Sequence, residues 1–236
     1  MTKPFEGKTA LVTGASRGIG AAIAEAIAAN GAHVILVARS ADDLEKVEER
    51  IHEAGGTATI APIDLLEDGA IGKLAAAIAG RWDSLEMLIL NAATLGTLTP
   101  VQAIDGNEFI RLISLNVLAN QALVAGFDPL LRKADKADVV GVTSSVGADP
   151  RAFWGAYGAS KAALDTLLSS YAEENEKQGK IRVHLLDPGA TRTTMRASAF
   201  PGENPDDLKG PEVVAEELVK RLQSDVETGG RLRVEG

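Results

Sequence analysis

Short apolar runs alternate with longer helical patterns along the whole chain. The apolar runs of strand length lie at residues 9–13, 33–38, 57–63, 87–90, 139–143, 182–186 and 232–234. The stretches predicted as helices lie at residues 19–30, 42–53, 71–78, 106–127, 157–178 and 212–223. This alternation is typical of βαβ units and a parallel sheet. Because the strands are apolar at nearly every position, we expect helices on both faces of the sheet.

Size and charge favour one domain without a nucleic-acid or membrane partner. No linker-like composition divides the chain, so residues 1–236 are interpreted as a single domain. The net charge is −9 and the basic residues are dispersed, which argues against a nucleic-acid or anionic-membrane surface. The N-terminus lacks a signal-peptide pattern, and no segment approaches the ~18 apolar residues of a membrane span. We therefore expect a cytoplasmic protein.

The cysteine and histidine content predicts no metal site. The chain has no cysteine, which excludes disulfides, thiolate ligands and a cysteine nucleophile. The three histidines, His33, His52 and His184, are scattered along the sequence. We expect each of them at the end of an element or on a solvated face.

Tyr157 and Lys161 are the most informative pair of residues in the chain. They lie one helical turn apart in the stretch YGASK, so their side chains share one face of the predicted helix. A phenol has a pKa near ~10 in water, and a neighbouring ammonium lowers it. Ser144 lies upstream and adds a hydroxyl that can hold a substrate oxygen. The set predicts a site for hydride transfer, and the alternative is an ordinary pair on a helix surface.

Glycines Gly14, Gly18 and Gly20 lie between the first predicted strand and the first predicted helix, in the stretch TGASRGIG. Glycines at such a turn let the backbone approach a pyrophosphate, and the N-terminus of a helix favours an anion. The spacing is GxxxGxG rather than the common GxGxxG. The turn predicts a dinucleotide site, with a purely structural tight turn as the alternative.

The segment before the last predicted helix has no regular pattern. Residues 195–211 read MRASAFPGENPDDLKGP, with three prolines and two glycines. Long irregular segments in compact domains are usually functional or disordered, and this one follows the carboxyl end of a strand, where α/β folds bind ligands. We interpret residues 193–211 as a candidate substrate lid, with a plain mobile loop as the alternative.

Several motifs occur in an order that is typical of one enzyme family. They are TGASRGIG, Asp64 in APIDL, Asn91 in LNAA, Asn116 in LNVLAN, Ser144 in TSSVG, YGASK, and DPGATRT at residues 187–193. On these motifs the whole chain resembles the short-chain dehydrogenase/reductase family in its shorter, NADP-preferring form, and is similar to 3-oxoacyl-ACP-reductase-like bacterial oxidoreductases. The resemblance implies a Rossmann-like, doubly wound α/β fold. Its seven-stranded, mainly parallel sheet has the order 3-2-1-4-5-6-7, with helices on both faces.

The resemblance also implies the site. The catalytic residues that it implies are Asn116, Ser144, Tyr157 and Lys161. The residues that it implies at the cofactor are Gly14, Ser16, Arg17, Gly18, Ile19, Gly20, Arg39, Asp64, Leu65, Asn91, Ala92, Tyr157, Lys161, Pro188, Gly189, Thr191 and Thr193. In the implied roles Tyr157 exchanges a proton with the substrate oxygen, and Lys161 lowers the pKa of Tyr157 and holds the nicotinamide ribose. Ser144 orients the carbonyl group, and Asn116 keeps a water behind the lysine.

One motif departs from the family pattern usually written NNAG. Leu90 replaces its first asparagine, and Ala93 and Thr94 follow where the usual glycine is absent. Asn91 is retained. The departure weakens the detailed cofactor contacts that are expected after the fourth strand.

Charge at the end of the second strand predicts the cofactor. An acid there binds the ribose 2′-hydroxyl, whereas an arginine favours a 2′-phosphate. Ala38 occupies the position of the family's acid and Arg39 follows, while Arg17 lies in the glycine turn. Two arginines without a carboxylate predict NADP(H). The alternative is that Arg39 only caps a surface, with NAD as the cofactor.

The predicted reaction is the reversible reduction of a ketone or aldehyde to an alcohol. Phe153, Trp154, Met195 and Phe200 can line an apolar pocket for the small-molecule substrate, or belong to ordinary packing. The alternatives are an NAD-linked alcohol dehydrogenase and a non-catalytic NADP-binding sensor or scaffold. By the family's habit we expect a homo-oligomer, a tetramer or dimer built through the predicted helices at 106–127 and 157–178.

Overall fold

A computed structural model describes residues 3–235 of the chain. These residues form seven β-strands: β1 (Thr9–Thr13), β2 (His33–Ala38), β3 (Thr57–Pro62), β4 (Met87–Leu90), β5 (Ala137–Val142), β6 (Ile181–Asp187) and β7 (Arg231–Arg233). The strands belong to one sheet in the order β3-β2-β1-β4-β5-β6-β7, which confirms the predicted order. Every pair of neighbouring strands is parallel, so the sheet is parallel throughout and not only mainly so.

Helices connect the strands close to the predicted positions. They are α1 (Gly18–Ala29), α2 (Ala41–Glu53), α3 (Ala70–Ala79), α4 (Gly106–Ile113), α5 (Ala119–Leu131), α6 (Ser145–Ala148), α7 (Gly155–Glu176), α8 (Thr194–Ala199) and α9 (Pro211–Gln223). A π-helical segment, Ser114–Leu118, joins α4 to α5, and the composite helix runs past the predicted end at residue 127. The sequence analysis missed the short helices α6 and α8.

Two apolar cores lie on opposite faces of the sheet, as the fully apolar strands predicted. In β1, Val12 packs toward α1, α2 and α9, whereas Leu11 packs toward α3, α5 and α7. Phe127 of α5 and Ile23 of α1 are among the large side chains that are completely buried. Because burying one such side chain stabilises a fold by about 1.5–3 kcal/mol, the two cores hold the strand ends in register.

A buried ionic cluster lies between the first residues of β5 and β6. Asp138 Oδ1 accepts hydrogen bonds at 2.8 Å from both Arg182 Nε and His184 Nε2. Arg182 also donates to the main-chain oxygens of Leu222 and Ser224 at the end of α9, at 3.0 and 2.7 Å. The expectation that His184 lies at an element end or on a solvated face is therefore wrong. A strand-interior histidine can be buried because a carboxylate in the neighbouring strand satisfies its ring nitrogen.

The long helix of the structure also corrects the expectation about membrane spans. The helix that covers Gly106–Leu131 is long and apolar enough to cross a membrane by length and composition alone, with a mean hydropathy of 1.4 over 18 residues. Within this window 33% is buried. Leu123 and Phe127 account for part of its apolar character by packing in the core, while Leu118 is exposed.

Candidate active site

The turn between β1 and α1 is built from glycines that approach other backbone closely. Gly14 and Gly18 have φ values of +64° and +57°, which favour glycine. A Cβ atom on Gly20 would lie 2.3 Å from the main-chain oxygen of Gly14 and 2.4 Å from Asn91 Nδ2. Arg17 precedes α1 in extended conformation and makes no capping hydrogen bond through its side chain to any described residue. The first turn of α1 thus presents its N–H groups to the cleft beside the glycine turn.

Thr13 and Asn91 hold this turn against the end of β4. Asn91 Nδ2 donates to the main-chain oxygens of Thr13 and Gly14, at 2.9 and 3.2 Å. Thr13 Oγ1 accepts from the N–H groups of Asn91 and Ala92 at 3.0 and 3.1 Å, and donates to Ile89. The sequence analysis named Asn91 and Ala92 but missed Thr13. A buried hydroxyl at the last residue of an otherwise apolar strand was the signal that could have identified it.

Asn116 lies in the π-helical segment, and its side chain is engaged by protein. Its Oδ1 accepts from the Thr94 N–H, and its Nδ2 donates to the Thr94 carbonyl, both at 2.9 Å. Nδ2 also donates to Ser160 Oγ at 3.0 Å, and that hydroxyl donates to the Tyr157 carbonyl at 2.7 Å. The side chain therefore connects the segment after β4, where the sequence differs from the family motif, to the helix that carries Tyr157. A role for Asn116 in holding a water behind Lys161 stays a prediction.

Ser144 precedes α6 at the carboxyl end of β5 and caps it weakly, accepting from the Val146 N–H at 3.5 Å. Two glycines let α6 pack directly on α7. A Cβ on Gly147 would lie 3.0 Å from Ala162 N, and a Cβ on Gly158 would lie 2.9 Å from the main-chain oxygen of Val146. This close packing places the short serine-bearing helix beside the helix of Tyr157 and Lys161.

Tyr157 and Lys161 are both buried on α7. Lys161 Nζ donates to the main-chain oxygen of Val142 at 2.7 Å and lies 5.7 Å from the centre of the Tyr157 ring. Burial lowers the pKa of Lys161 to about 8. Burial, assisted by the negative charge of Asp187, raises the pKa of Tyr157.

The prediction that Lys161 gives Tyr157 an unusually low pKa is therefore wrong for the protein in this structure. Removing the phenol from water penalises the phenolate, and the negative charge of Asp187 adds to this penalty. The ammonium is itself directed at a strand carbonyl. Tyr157 consequently holds its proton at neutral pH.

Two aromatic side chains lie next to Tyr157 or next to each other. The Trp154 ring lies 5.9 Å from the Tyr157 ring in an edge-on arrangement and 5.7 Å from the Phe200 ring. Phe153 has a φ of +71°, the single positive value among the described non-glycine residues, and its side chain is exposed. The N–H of Thr99 donates to the Phe153 carbonyl at 3.0 Å and holds this conformation. Such backbone strain concentrates at ligand-binding positions.

The loop after β6 joins the glycine turn to the candidate lid. Gly189 has a φ of +61°, and Thr191 Oγ1 donates to the Pro188 carbonyl at 2.9 Å. Thr193 caps α8 by accepting from the Arg196 N–H, and its methyl group lies 3.6 Å from a Cβ built on Gly18. Thr193, at the end of loop residues 187–193, thus lies next to the glycine turn.

The candidate lid is more regular than its composition predicted. It begins with α8 and contains a short 3₁₀ helix, Pro205–Asp207, where Pro205 starts the turn. Arg196 Nε donates to Glu203 Oε2 at 2.6 Å, and the Arg192 N–H donates to the Lys209 carbonyl at 2.9 Å. The first bond closes the turn after α8, and the second joins the two ends of the segment.

The end of β2 opens onto a cavity of about 380 Å³ with charged walls. Arg39 and Asp64, both predicted at the cofactor, line it. Lys73 of α3 also lines it and was not predicted, because α3 otherwise reads as an alanine-rich core helix. Ser16 and the exposed Arg17 lie in the glycine turn, whereas Ile19 and Leu65 pack partly against the apolar cores.

Residues 8–204 match the sequence profile of the family described as short chain dehydrogenase. The uncharacterized oxidoreductase YciK of Escherichia coli K12 is 39% identical over 204 residues, which cover 85% of this chain and 80% of YciK. A fatty acyl-CoA reductase of Acinetobacter baylyi is 38% identical over 194 residues, and the match spans 81% of this chain and 65% of that protein.

Solved structures match the fold over its whole length. A short chain dehydrogenase from Salmonella enterica serovar Typhi covers 100% of this chain, and 99% of its own chain, at a TM-score of 0.94 and 34% identity. A short chain dehydrogenase from Escherichia coli CFT073, complexed with NADPH, covers 100% of both chains at a TM-score of 0.90 and 35% identity. Together with the ordered motifs and the parallel seven-stranded sheet, these matches show that the chain belongs to the short chain dehydrogenase family of oxidoreductases.

Proposed function

We propose that the protein is an NADPH-dependent oxidoreductase that reversibly reduces a ketone or aldehyde to an alcohol. The observation that carries the proposal is the arrangement of α7. Its buried Tyr157 and Lys161 lie beside the helix that Ser144 caps and are tied through Ser160 and Asn116 to the segment after β4. The arrangement supports Tyr157 as the proton donor, near the carboxyl end of β5, where Lys161 contacts Val142.

The chain's own residues fit a dinucleotide phosphate. Gly14 and Gly20 leave no room for side chains at the turn, and Gly18 has a φ of +57° that favours glycine. The first turn of α1 supplies N–H donors for an anion. Arg39 and Lys73 line the cavity at the end of β2, together with the acids Asp64, Glu67 and Asp68. We assign the 2′-phosphate to Arg39, which directly follows β2. Solved relatives bound to NADP or NADPH support this assignment. When bound, NADPH supplies the hydride.

The protein's residues supply the proton and the orientation. Tyr157 carries its proton at neutral pH, as a phenol with a reference pKa of ~10 does, so it can protonate the oxygen of a carbonyl group as that oxygen gains negative charge. Burial raises its pKa and so opposes this transfer in the protein without ligand. Ser144 offers a hydroxyl to the same oxygen. Lys161 Nζ lies 5.7 Å from the centre of the Tyr157 ring, so its charge would stabilise the tyrosinate formed after proton transfer.

The substrate would be a small carbonyl compound with an apolar substituent. Trp154 and Phe200 form an aromatic wall beside Tyr157, and Phe153, which precedes Trp154, is exposed. Residues 193–211 would act as the lid, since Phe200 belongs to this segment and contacts Trp154.

A panel of aliphatic and aromatic ketones and aldehydes tests the proposal. We expect consumption of NADPH, followed by its absorbance at 340 nm, with apolar compounds turning over faster than polar ones of similar size. The corresponding alcohols should reduce NADP in the reverse direction. Absence of turnover across the panel, with NADPH bound, would instead favour a non-catalytic binding protein.

Cofactor choice is predicted to depend on Arg39. Replacing this side chain in Arg39→Ser should raise the KM for NADPH roughly ten- to a hundredfold, because a charge-assisted contact with the phosphate is lost. The KM for NADH should change little. Arg81→Ser is the matched control, because Arg81 stacks on Trp82 near the other end of β2. An unchanged NADPH preference in Arg39→Ser would contradict this assignment.

We also propose a homo-oligomer that associates through α4, α5 and α7. Ile110 on α4, Leu118 at the end of the π-helical segment and Leu167 on α7 expose 66%, 58% and 40% of their surface. An interface would remove these apolar side chains from water. Leu118→Glu should therefore lower the oligomeric state measured by sedimentation velocity. Lys46→Glu on α2 places the same charge on the other side of the sheet and should leave the assembly intact. A monomeric unaltered protein would overturn the proposal.

A cytoplasmic location and the absence of nucleic-acid and membrane partners stay predictions.

A further inference from the structure

Asp165 lies one helical turn after Lys161 on α7 and is largely buried. Its Oδ2 accepts a hydrogen bond from Arg231 Nη2 in β7. Its Oδ1 is buried and has no hydrogen-bond partner within the described residues 3–235. A buried carboxylate with one open oxygen beside the catalytic lysine is costly to maintain, and the reaction proposed above does not otherwise use it.

Arg231 links Asp165 to the other half of the site. Its Nη1 donates to Thr143 Oγ1 at 2.9 Å, and Thr143 immediately precedes Ser144. The guanidinium therefore contacts the helix that carries Lys161 and the strand end that carries Ser144 at the same time. Because the guanidinium is planar and its donors have a fixed geometry, these contacts set the distance between the two elements.

The charges around Lys161 come from several elements. Asp165 on α7 acts directly on Lys161, while Asp187 of β6 and Arg231 of β7 act on Asp165. Tyr157 shares α7 with both groups. Burial lowers the pKa of Lys161 to about 8, and the negative charge of Asp165 opposes this change. Burial raises the pKa of Asp165, while Arg231 and Lys161 favour its ionised form.

We propose that Asp165 and Arg231 are positioning residues that act together. Asp165 favours the charged form of Lys161, and Arg231 holds Asp165 in place beside the end of β5. The inference rests on the proposed function for its consequence in catalysis. The effect on Lys161 itself holds for the protein without any ligand. Neither residue is assigned a contact with substrate or cofactor.

The sign of the expected pH effect follows from the charges. Lys161 acts as an ammonium, so activity that depends on it is lost as the pH rises through the pKa of Lys161. Removing the carboxylate in Asp165→Asn makes the ammonium less favourable and lowers that pKa. Asp165 and Lys161 are one helical turn apart, and a nearby opposite charge favours the ammonium, so the alkaline limb of kcat/KM should move to lower pH by on the order of 1 unit. Asp165→Glu should restore the limb toward its original position.

Two measurements on the full chain keep this inference separate from the proposed function. The first is the pH profile of NADPH-dependent turnover. The second is an NMR titration of ¹³C-labelled lysine in the unliganded protein, with the Lys161 signal assigned by its loss in Lys161→Met. A lower Lys161 pKa in Asp165→Asn by NMR supports the inference even if no substrate is turned over. Failure of turnover alone counts only against the proposed function.

Matched variants complete the test. Asp128→Asn removes another aspartate that is paired with an arginine, Arg132 at 2.7 Å, and should leave the Lys161 titration unchanged. If Asp165→Asn does not fold, Arg231→Gln gives the same test, because loss of its counter-ion raises the pKa of Asp165 and weakens its hold on Lys161. A Lys161 titration identical to that of the unaltered protein, in whichever of these variants folds, would overturn the inference.

Discussion

Tyr157→Phe should lower kcat by about 10²–10⁴-fold while leaving the fold nearly unchanged. The substitution removes one oxygen and keeps the ring that packs edge-on against Trp154 at 5.9 Å. The oxygen matters because the phenol is the buried group that we propose to donate a proton to the carbonyl, and its raised pKa keeps that proton in place at neutral pH. The measurement is single-substrate kinetics with NADPH on an active compound of the panel, together with thermal unfolding.

The second tyrosine of the chain provides the control. Tyr171 lies on the same helix, and its hydroxyl donates to Asp128 Oδ1 at 2.7 Å. Tyr171→Phe therefore removes the same atom and should cost roughly 1–3 kcal/mol of unfolding free energy without changing kcat, since that bond has a charged acceptor. Full turnover by Tyr157→Phe, or an equal loss in both variants, would falsify the role assigned to Tyr157.

Gly20→Ala should abolish cofactor binding and destabilise the protein by about 1–3 kcal/mol. The added methyl group would lie 2.3 Å from the Gly14 carbonyl oxygen and 2.4 Å from Asn91 Nδ2. The carbonyl belongs to the turn itself and Asn91 clamps that turn, so relief of the clash must displace the backbone that we propose to bind the pyrophosphate. Thermal unfolding with and without NADPH measures both effects, because a ligand raises the melting temperature of the state it binds.

A helical glycine far from the turn is the matched control. Gly72 lies within α3, and no atom of the described residues outside its own local helix comes within 4 Å of a Cβ built on it. Gly72→Ala should be neutral, or stabilise the protein by up to about 1 kcal/mol through helix propensity. It should also keep the melting-temperature increase caused by NADPH. If Gly20→Ala behaves in the same way, the glycine turn does not hold the cofactor.

Strands and long helices, which depend on the pattern of neighbouring residues in the sequence, were predicted well. The spacing of apolar runs located all seven strands to within two residues at each end, because a buried parallel strand must be apolar along its length. The short helices α6 and α8 were missed, since helices of four and six residues are too short to show periodicity. For α8 the prolines that follow it also favoured a loop interpretation.

Side-chain partners and protonation states were predicted poorly. His184 was expected near water but is buried against Asp138, a residue 46 positions away in sequence. Lys161 was expected to acidify Tyr157, yet burial raises the pKa of the phenol. Thr13 and Ser160 were overlooked because a single serine or threonine in a sequence carries no sign of its hydrogen-bond partner.

The amino-acid sequence by itself determined the order of strands and helices, the glycine turn, the one-turn spacing of Tyr157 and Lys161, and through these motifs the family. These features arise from local periodicity and from residue types at fixed spacing. Only the tertiary structure decided which groups lose contact with water and which distant residues meet, such as Asp165 and Arg231, 66 positions apart. The free energy of a charge depends on its burial and its neighbours, and packing sets both.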